Sequence, residues 1–240
     1  GDRGLADVLG RRRAGVEVYG SGVNRHYSLE ELVAQAERWK AAGYRAVKIK
    51  VGLPDLREDV ERVAAVREVL GPGVALMIDA NQLWDLYRAR RAVEALAPYG
   101  LHWLEEPLPA DDIAGHVELR RSVGVPIAVG ENVYTRYGFR DLITAGACDV
   151  VQPNVVRVGG ITPFLRIAEL AAAFDVPVYP HLLPEISGQL AVALPLPCMV
   201  EDVEDASFAA LGLLAEPYPV TVHGTELRVH DGPGLGLHWT

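Results

Sequence analysis

The sequence predicts an α/β fold, a parallel barrel of alternating strands and helices. Two observations carry this. Eight short apolar runs of strand type alternate with about seven helical stretches. Three acids close consecutive runs at equal steps of 26 residues: Asp79 in MIDAN, Glu105 in WLEEP and Glu131 in AVGEN. That step is the length of one strand–loop–helix unit, so a barrel built from such units brings the three carboxylates to one rim.

The elements follow in order. The first candidate strand is Val16–Gly20. Ser28 and Glu31 form a capping box, and Leu29, Leu32, Val33, Ala36 and Trp39 then recur at helical spacing. Strands are expected at Ala46–Val51 and Ala75–Asp79. Asp85 caps a helix whose apolar stripe is Leu86, Ala89, Val93 and Leu96. Further strands are expected at Leu101–Glu105, Ile127–Glu131 and Asp149–Gln152. Thr162-Pro163 opens the next helix, with proline in the first turn where its missing N–H is harmless. The last two strands are Val176–His181 and Cys198–Glu201, with a short last link, Ile186–Ala193, where irregular helix positions are expected. Gly43, Gly100, Gly124 and Gly146 each follow a helical stretch, where a left-handed residue is wanted. Residues 1–204 read as the barrel. Residues 205–240 are a turn-rich tail, expected to form a small hairpin on the barrel surface.

At 240 residues the chain can bury a full core. Its net charge of −9 argues against nucleic acid and anionic membrane as partners. No apolar run reaches the ~18–20 residues of a membrane span, and no signal peptide is visible. Cys148 and Cys198 do not make a disulfide framework and are expected as reduced, buried thiols of a cytoplasmic protein. The chain begins at Gly1 without Met, so a preceding segment is expected.

In such a barrel the C-terminal strand ends form the active face. Side-chain alternation then assigns directions. Lys48 and Lys50 share a parity and point into the mouth, as do Met77, Asp79 and Asn81, and Trp103 with Glu105. Glu106 points away into a hydrogen bond or salt bridge. One acid at a strand end is ordinarily a solvated carboxylate; three in consecutive units form an oxygen-only site for a hard cation, Mg²⁺ before Ca²⁺ or Zn²⁺. Two lysines in one interior are expected to depress each other's pKa and prepare one as a base. His181 in YPHLLPE is expected to act from the opposite side. Glu201 in CMVED is expected to be held protonated and to donate to a substrate oxygen. Gly159-Gly160 fits a tight turn as well as a ligand approach. There is no CxxC, HExxH or GxSxG motif.

With KIK, DAN, WLEEP, GEN, Pro153-Asn154, RVGG, PHLLPE and the Glu201 strand end in this order, the chain resembles the enolase superfamily, mandelate racemase subgroup. The resemblance implies a modified TIM barrel, (β/α)7β, whose C-terminal tail packs on a capping domain built mainly from residues that precede this chain. It implies Mg²⁺ on Asp79, Glu105 and Glu131. It implies that Lys48 contacts a substrate carboxylate and lowers the pKa of Lys50, the base on one face of the α-carbon. His181 would be acid or base on the other face, Glu201 a donor to the enolate oxygen, and Asn81 a contact to a substrate hydroxyl. The implied reaction is abstraction of the α-proton of a hydroxy-carboxylate. An acid-sugar dehydratase is favoured over a racemase or epimerase of a 2-hydroxy acid, and over a degenerate relative that binds metal and acid without turnover. Relatives are commonly homo-oligomers. One position departs from the pattern. The family histidine is normally paired with an aspartate, where this chain has Asn154. An amide oxygen can accept the imidazole N–H and fix its tautomer, but it lacks the charge that steadies an imidazolium.

Overall fold

The structure is a computed structural model and describes residues 2–240. Six parallel strands lie side by side in chain order: β1 (Gly15–Ser21), β2 (Ala46–Lys50), β3 (Ala75–Asp79), β4 (Leu101–Glu105), β5 (Ile127–Val129) and β6 (Val150–Val151). β7 (Met199–Val203) pairs in parallel with the other edge of β1, from Glu17↔Met199 to Ser21↔Val203. The sheet therefore curls round as an α/β barrel. After the short α1 (Leu5–Val8), six helices cross over between successive strands: α2 (Leu29–Ala41), α3 (Leu56–Leu70), α4 (Leu86–Leu96), α5 (Ile113–Ser122), α6 (Arg136–Ala145) and α7 (Ile161–Ala172). α8 (Pro184–Ala191) precedes β7.

Alternation along the strands separates two cores. Val47, Ile49, Leu76, Ile78, Leu104, Ile127 and Val129 pack outward beneath the helices. Tyr19, Ala46, Met77, Trp103, Ala128 and Val150 fill the barrel interior. Trp103 meets Tyr19 and Tyr179 edge-on, at centroid distances of 5.6 and 5.1 Å.

The local signals act as expected at most helix ends. Both halves of the Ser28–Glu31 capping box are formed, and Asp85 accepts from the Arg88 N–H. Gly43, Gly100 and Gly146 are left-handed, whereas Gly124 is not, because α5 ends on an extended Val123. The stripe of α2 is rotated from the expected one. Leu29 is exposed, and Gln35 is buried beside Leu32, Ala36 and Trp39. Gln35 is accommodated because Asn24 and Glu204 satisfy its amide.

Two strands differ from expectation for identifiable reasons. The seventh, expected over Val176–His181, is reduced to a single bridge between Val151 and Val178. Pro177 and Pro180 carry no N–H, so the ladder cannot extend in either direction. β5 stops at Val129 rather than Glu131 because the chain turns at Gly130, with φ 151°. A Cβ there would lie 2.6 Å from the Gln152 nitrogen, so only glycine lets the two strand ends approach.

The tail does form a hairpin, β8 (Val220–His223) and β9 (Glu226–Val229), but not as a separate surface piece. β9 pairs antiparallel with Gly15–Glu17, the part of β1 that β2 leaves open. Leu227 is fully buried there, among Val16, Val18, Val192 and Val200.

Cys148 is buried, Cys198 half-buried, and both are free. Burial pushes each thiol up to about 12. Because the thiolate is the nucleophile, both cysteines are expected to resist alkylation at pH 8 in the folded protein and to react at once in denaturant. Mass-spectrometric counting of labelled thiols checks this. Among the described residues no helix is long and apolar enough to cross a membrane.

Candidate active site

The strand ends gather the predicted acids. Asp79 ends β3, Glu105 ends β4, and Glu131 lies just beyond β5. One oxygen from each falls within 4.8 Å of the others, and all three residues are buried. Such a cluster of like charges out of water is costly unless compensated. Burial lifts the Glu105 carboxyl to about 7, against the pull of Lys48. The set fits a hard divalent cation: oxygen donors only, close together, three carboxylates in one buried cluster.

Each carboxylate is also braced by the protein. Asp79 accepts from the Asn81 backbone N–H (2.8 Å) and side chain (3.1 Å), and pairs with Lys50 Nζ at 2.5 Å. Glu105 Oε2 accepts from Gln152 (2.7 Å) and Trp103 (3.3 Å), while Oε1 pairs with Lys48 Nζ at 2.6 Å. Glu131 faces His181 Nε2 at 2.9 Å, and Arg157 Nη1 bonds its carbonyl at 2.9 Å. Burial would raise Glu131, but the His181 bond and the nearby positive charges bring it down to about 2. Glu106 is turned aside, accepting twice from Asn132 Nδ2. It forms no salt bridge among the described residues. Burial, with the charges of Glu131 and Asp79, pushes it up to about 8.

The lysines differ from expectation. Burial lowers Lys50 most, and Lys48 adds to that, but Asp79 and Glu105 together more than offset both, so Lys50 sits above the usual lysine value. The expected depression by Lys48 is present, but the carboxylates outweigh it. A cation on these carboxylates withdraws that support and leaves Lys48 as the opposing charge. Lys48 itself is wedged beneath the mouth. Its side chain is 1% exposed, against 14% for Lys50, and it bridges Glu105 and Glu201. Burial lowers it and the two carboxylates more than restore it.

Glu201 is likewise corrected. Burial would raise its carboxyl, but Lys48 at 2.8 Å, with the charge of Lys50, holds it below the usual range. Both of its oxygens accept, from Ser21 Oγ at 2.8 Å and the Leu182 N–H at 3.2 Å. In this arrangement its oxygens accept and pair with Lys48, where a protonated donor was expected.

Asn154 and His181 meet, but the amide faces the other way from the expected one. Asn154 Oδ1 accepts from the Val156 and Arg157 backbone N–H groups, at 3.0 and 3.1 Å. Its Nδ2 therefore points at His181 Nδ1, 3.0 Å away.

Sequence reasoning gave no role to Ser21, Gln152, Asn132 or Arg157. Gln152 and Asn132 were visible as polar residues at the ends of apolar runs. Ser21 and Arg157 carried no such signal.

Comparison with known proteins places this geometry. The model of the enolase C-terminal domain-like family matches residues 31–240. The 3,6-anhydro-α-L-galactonate cycloisomerase of Streptomyces coelicolor is 40% identical over 222 residues, covering 92% of this chain and 60% of that protein. The L-talarate/galactarate dehydratase of Salmonella typhimurium is 40% identical over 201 residues, covering 83% and 50%. Among solved structures, a racemase from Streptomyces coelicolor with bound magnesium superposes with TM-score 0.92 at 37% identity, covering 99% of this chain and 64% of the other. An L-talarate dehydratase from Polaromonas, complexed with magnesium and L-glucarate, gives 0.89 at 38%, covering 99% and 65%. The chain thus spans half to two thirds of the length of these relatives. With its barrel, its strand-end acids and a family match over most of its length, the chain belongs to the enolase C-terminal domain-like family of the enolase and mandelate racemase superfamily.

Proposed function

We propose that this protein is a Mg²⁺-dependent lyase that removes the α-proton of a sugar acid and expels an oxygen from the neighbouring carbon. The observation that carries this is the buried triad Asp79, Glu105 and Glu131, with one partly accessible lysine, Lys50, set against it. An α-proton beside a carboxylate is very weakly acidic, so the enediolate needs stabilisation as it forms. A magnesium ion on the triad supplies Lewis-acid charge for the enediolate oxygens. Lys50 is the base, since its side chain is the more accessible of the two lysines. Lys48 and Glu201 lock the floor, and Asn81 steadies Asp79 rather than reaching first for a substrate hydroxyl. Relatives named dehydratase and cycloisomerase support β-elimination, whether the leaving oxygen is a hydroxyl or a ring ether. A solved relative named racemase supports the second reading, return of the proton to the other face.

The proposal extends to the assembly. The tail, residues 205–240, would complete a capping region. It leaves Leu211, Leu213 and Trp239 largely exposed, as a surface to be covered would be. Free thiols fit a reducing, cytoplasmic setting. A homo-oligomer is proposed by likeness to relatives and is tested by sedimentation.

A screen of sugar acids and 2-hydroxy acids with the full-length protein and Mg²⁺ tests the function, reading dehydration, loss of optical activity and deuterium uptake at the α-carbon. Elimination accompanied by uptake is expected. Loss of optical activity without elimination makes it a racemase, and no uptake with any acid leaves a binding protein without turnover.

A further inference from the structure

The side-chain amide of Asn154 has one orientation that satisfies its surroundings. Its oxygen receives the Val156 and Arg157 N–H groups, which head the turn after β6. A flipped amide would lose both bonds and set its NH2 group against two backbone donors. Both Asn154 and His181 are buried, so water does not relieve the mismatch. The backbone N–H of His181 also bonds the Pro153 carbonyl at 3.3 Å, which holds the two segments together.

The amide therefore presents a donor, and His181 Nδ1 has to accept. The other ring nitrogen meets an acceptor, Glu131 Oε2, at 2.9 Å. Both partners demand the same neutral tautomer, with the proton on Nε2 and the lone pair on Nδ1. An aspartate at position 154 would set an acceptor against Nδ1–H as well, so the ring would hold both protons while Glu131 faces Nε2, and Nε2 would be bare only once Glu131 turns to a cation.

We infer that Asn154 is a positioning residue that holds His181 as a neutral hydrogen-bond donor, so that His181 supports negative charge on a substrate oxygen and does not abstract the α-proton. This deepens the proposed function and rests on it for the identity of the substrate. A base at Nε2 needs the lone pair that Asn154 assigns to Nδ1. A neutral imidazole in this state acts as an electrophile, polarising an oxygen through Nε2–H. Proton transfer then falls to Lys50 alone. It takes the α-proton as the C–H pair becomes the enediolate. That pair then forms the α–β double bond as the β C–O bond breaks. The departing oxygen takes the proton back from Lys50, which ends neutral. Water, or the opened ring hydroxyl, is the leaving group, and the elimination is syn. Nothing is oxidised or reduced beyond this internal redistribution.

The test is 15N NMR of the full-length protein with labelled histidine, metal-free and with Mg²⁺, at a pH where the rings are neutral. Subtraction of the His181→Gln spectrum assigns the ring. The wild-type spectrum is expected to show a pyridine-like Nδ1 and a pyrrole-like Nε2 in both states. Asn154→Asp is expected to make Nδ1 pyrrole-like. It should also raise, at least tenfold, deuterium uptake by the α-epimer whose proton faces His181, while uptake on the Lys50 face changes little. A wild-type Nδ1–H overturns the inference without recourse to any variant. So does an unchanged tautomer in Asn154→Asp, or wild-type uptake on both faces that His181→Gln abolishes on one. Absence of uptake with every acid overturns the proposed function instead, while the spectrum still decides the tautomer.

Discussion

Glu131→Gln is expected to abolish Mg²⁺ binding at working concentrations and, with it, measurable turnover. The substitution keeps the shape of the side chain and removes one of three charges that converge within 4.8 Å. A hard cation binds carboxylate oxygen far better than amide oxygen, and two acids do not complete the set. Loss of a residue that merely supports a metal ligand costs roughly 10–100-fold in affinity, so loss of a ligand is expected to exceed that. Thermal unfolding reads the effect without substrate. Mg²⁺ at 100 times its dissociation constant stabilises the wild type by about 2.7 kcal/mol, and the variant is expected to gain nothing. Full activity of the wild type in excess chelator, or an unchanged Mg²⁺-induced shift in the variant, would remove the triad from the mechanism.

Lys50→Ala is expected to lower α-proton exchange by roughly 10²–10⁴, the usual worth of a positioned base. Metal affinity should hold or rise, because the ammonium that pairs with Asp79 no longer competes for it. The backbone of Lys50 stays fixed, since its N–H bonds Asn24 Oδ1 at 2.9 Å whatever the side chain. This separates loss of a base from collapse of the site. Exchange at the wild-type rate in the variant would pass the role to another residue. Lys48 is a poor candidate, because it lies buried between Glu105 and Glu201.

Much of the barrel was legible because its signals are local. Capping at Ser28 and Asp85 needs residues within one turn, and strand alternation needs only the next residue but one. Alternation sufficed to send Lys48, Lys50, Asp79 and Glu105 inward, and it gave Glu106 the other direction. The losses came where a local signal met a distant one. Leu29 fits the helical stripe of α2, yet it is exposed, while Gln35 is buried because Asn24 and Glu204 reach it. The run ending at His181 reads as a strand, but its prolines leave it a single bridge. The tail hairpin is written in its turn residues. Its place on β1 depends on how little of that strand β2 covers.

By itself, then, the sequence determined most of the elements, their order, and which carboxylates stand on the inner face at the strand ends. These follow from periodicity and spacing, which the chain carries along its length. Only the tertiary structure decided the charge and direction of the groups once there. Glu201 is held ionised by a lysine from the far side of the chain, Lys50 is held up by Asp79, and Asn154 turns its NH2 to His181 because two backbone N–H groups claim its oxygen. Protonation and hydrogen-bond direction depend on ångström distances between residues that are remote in sequence, and those distances exist only after the barrel has closed.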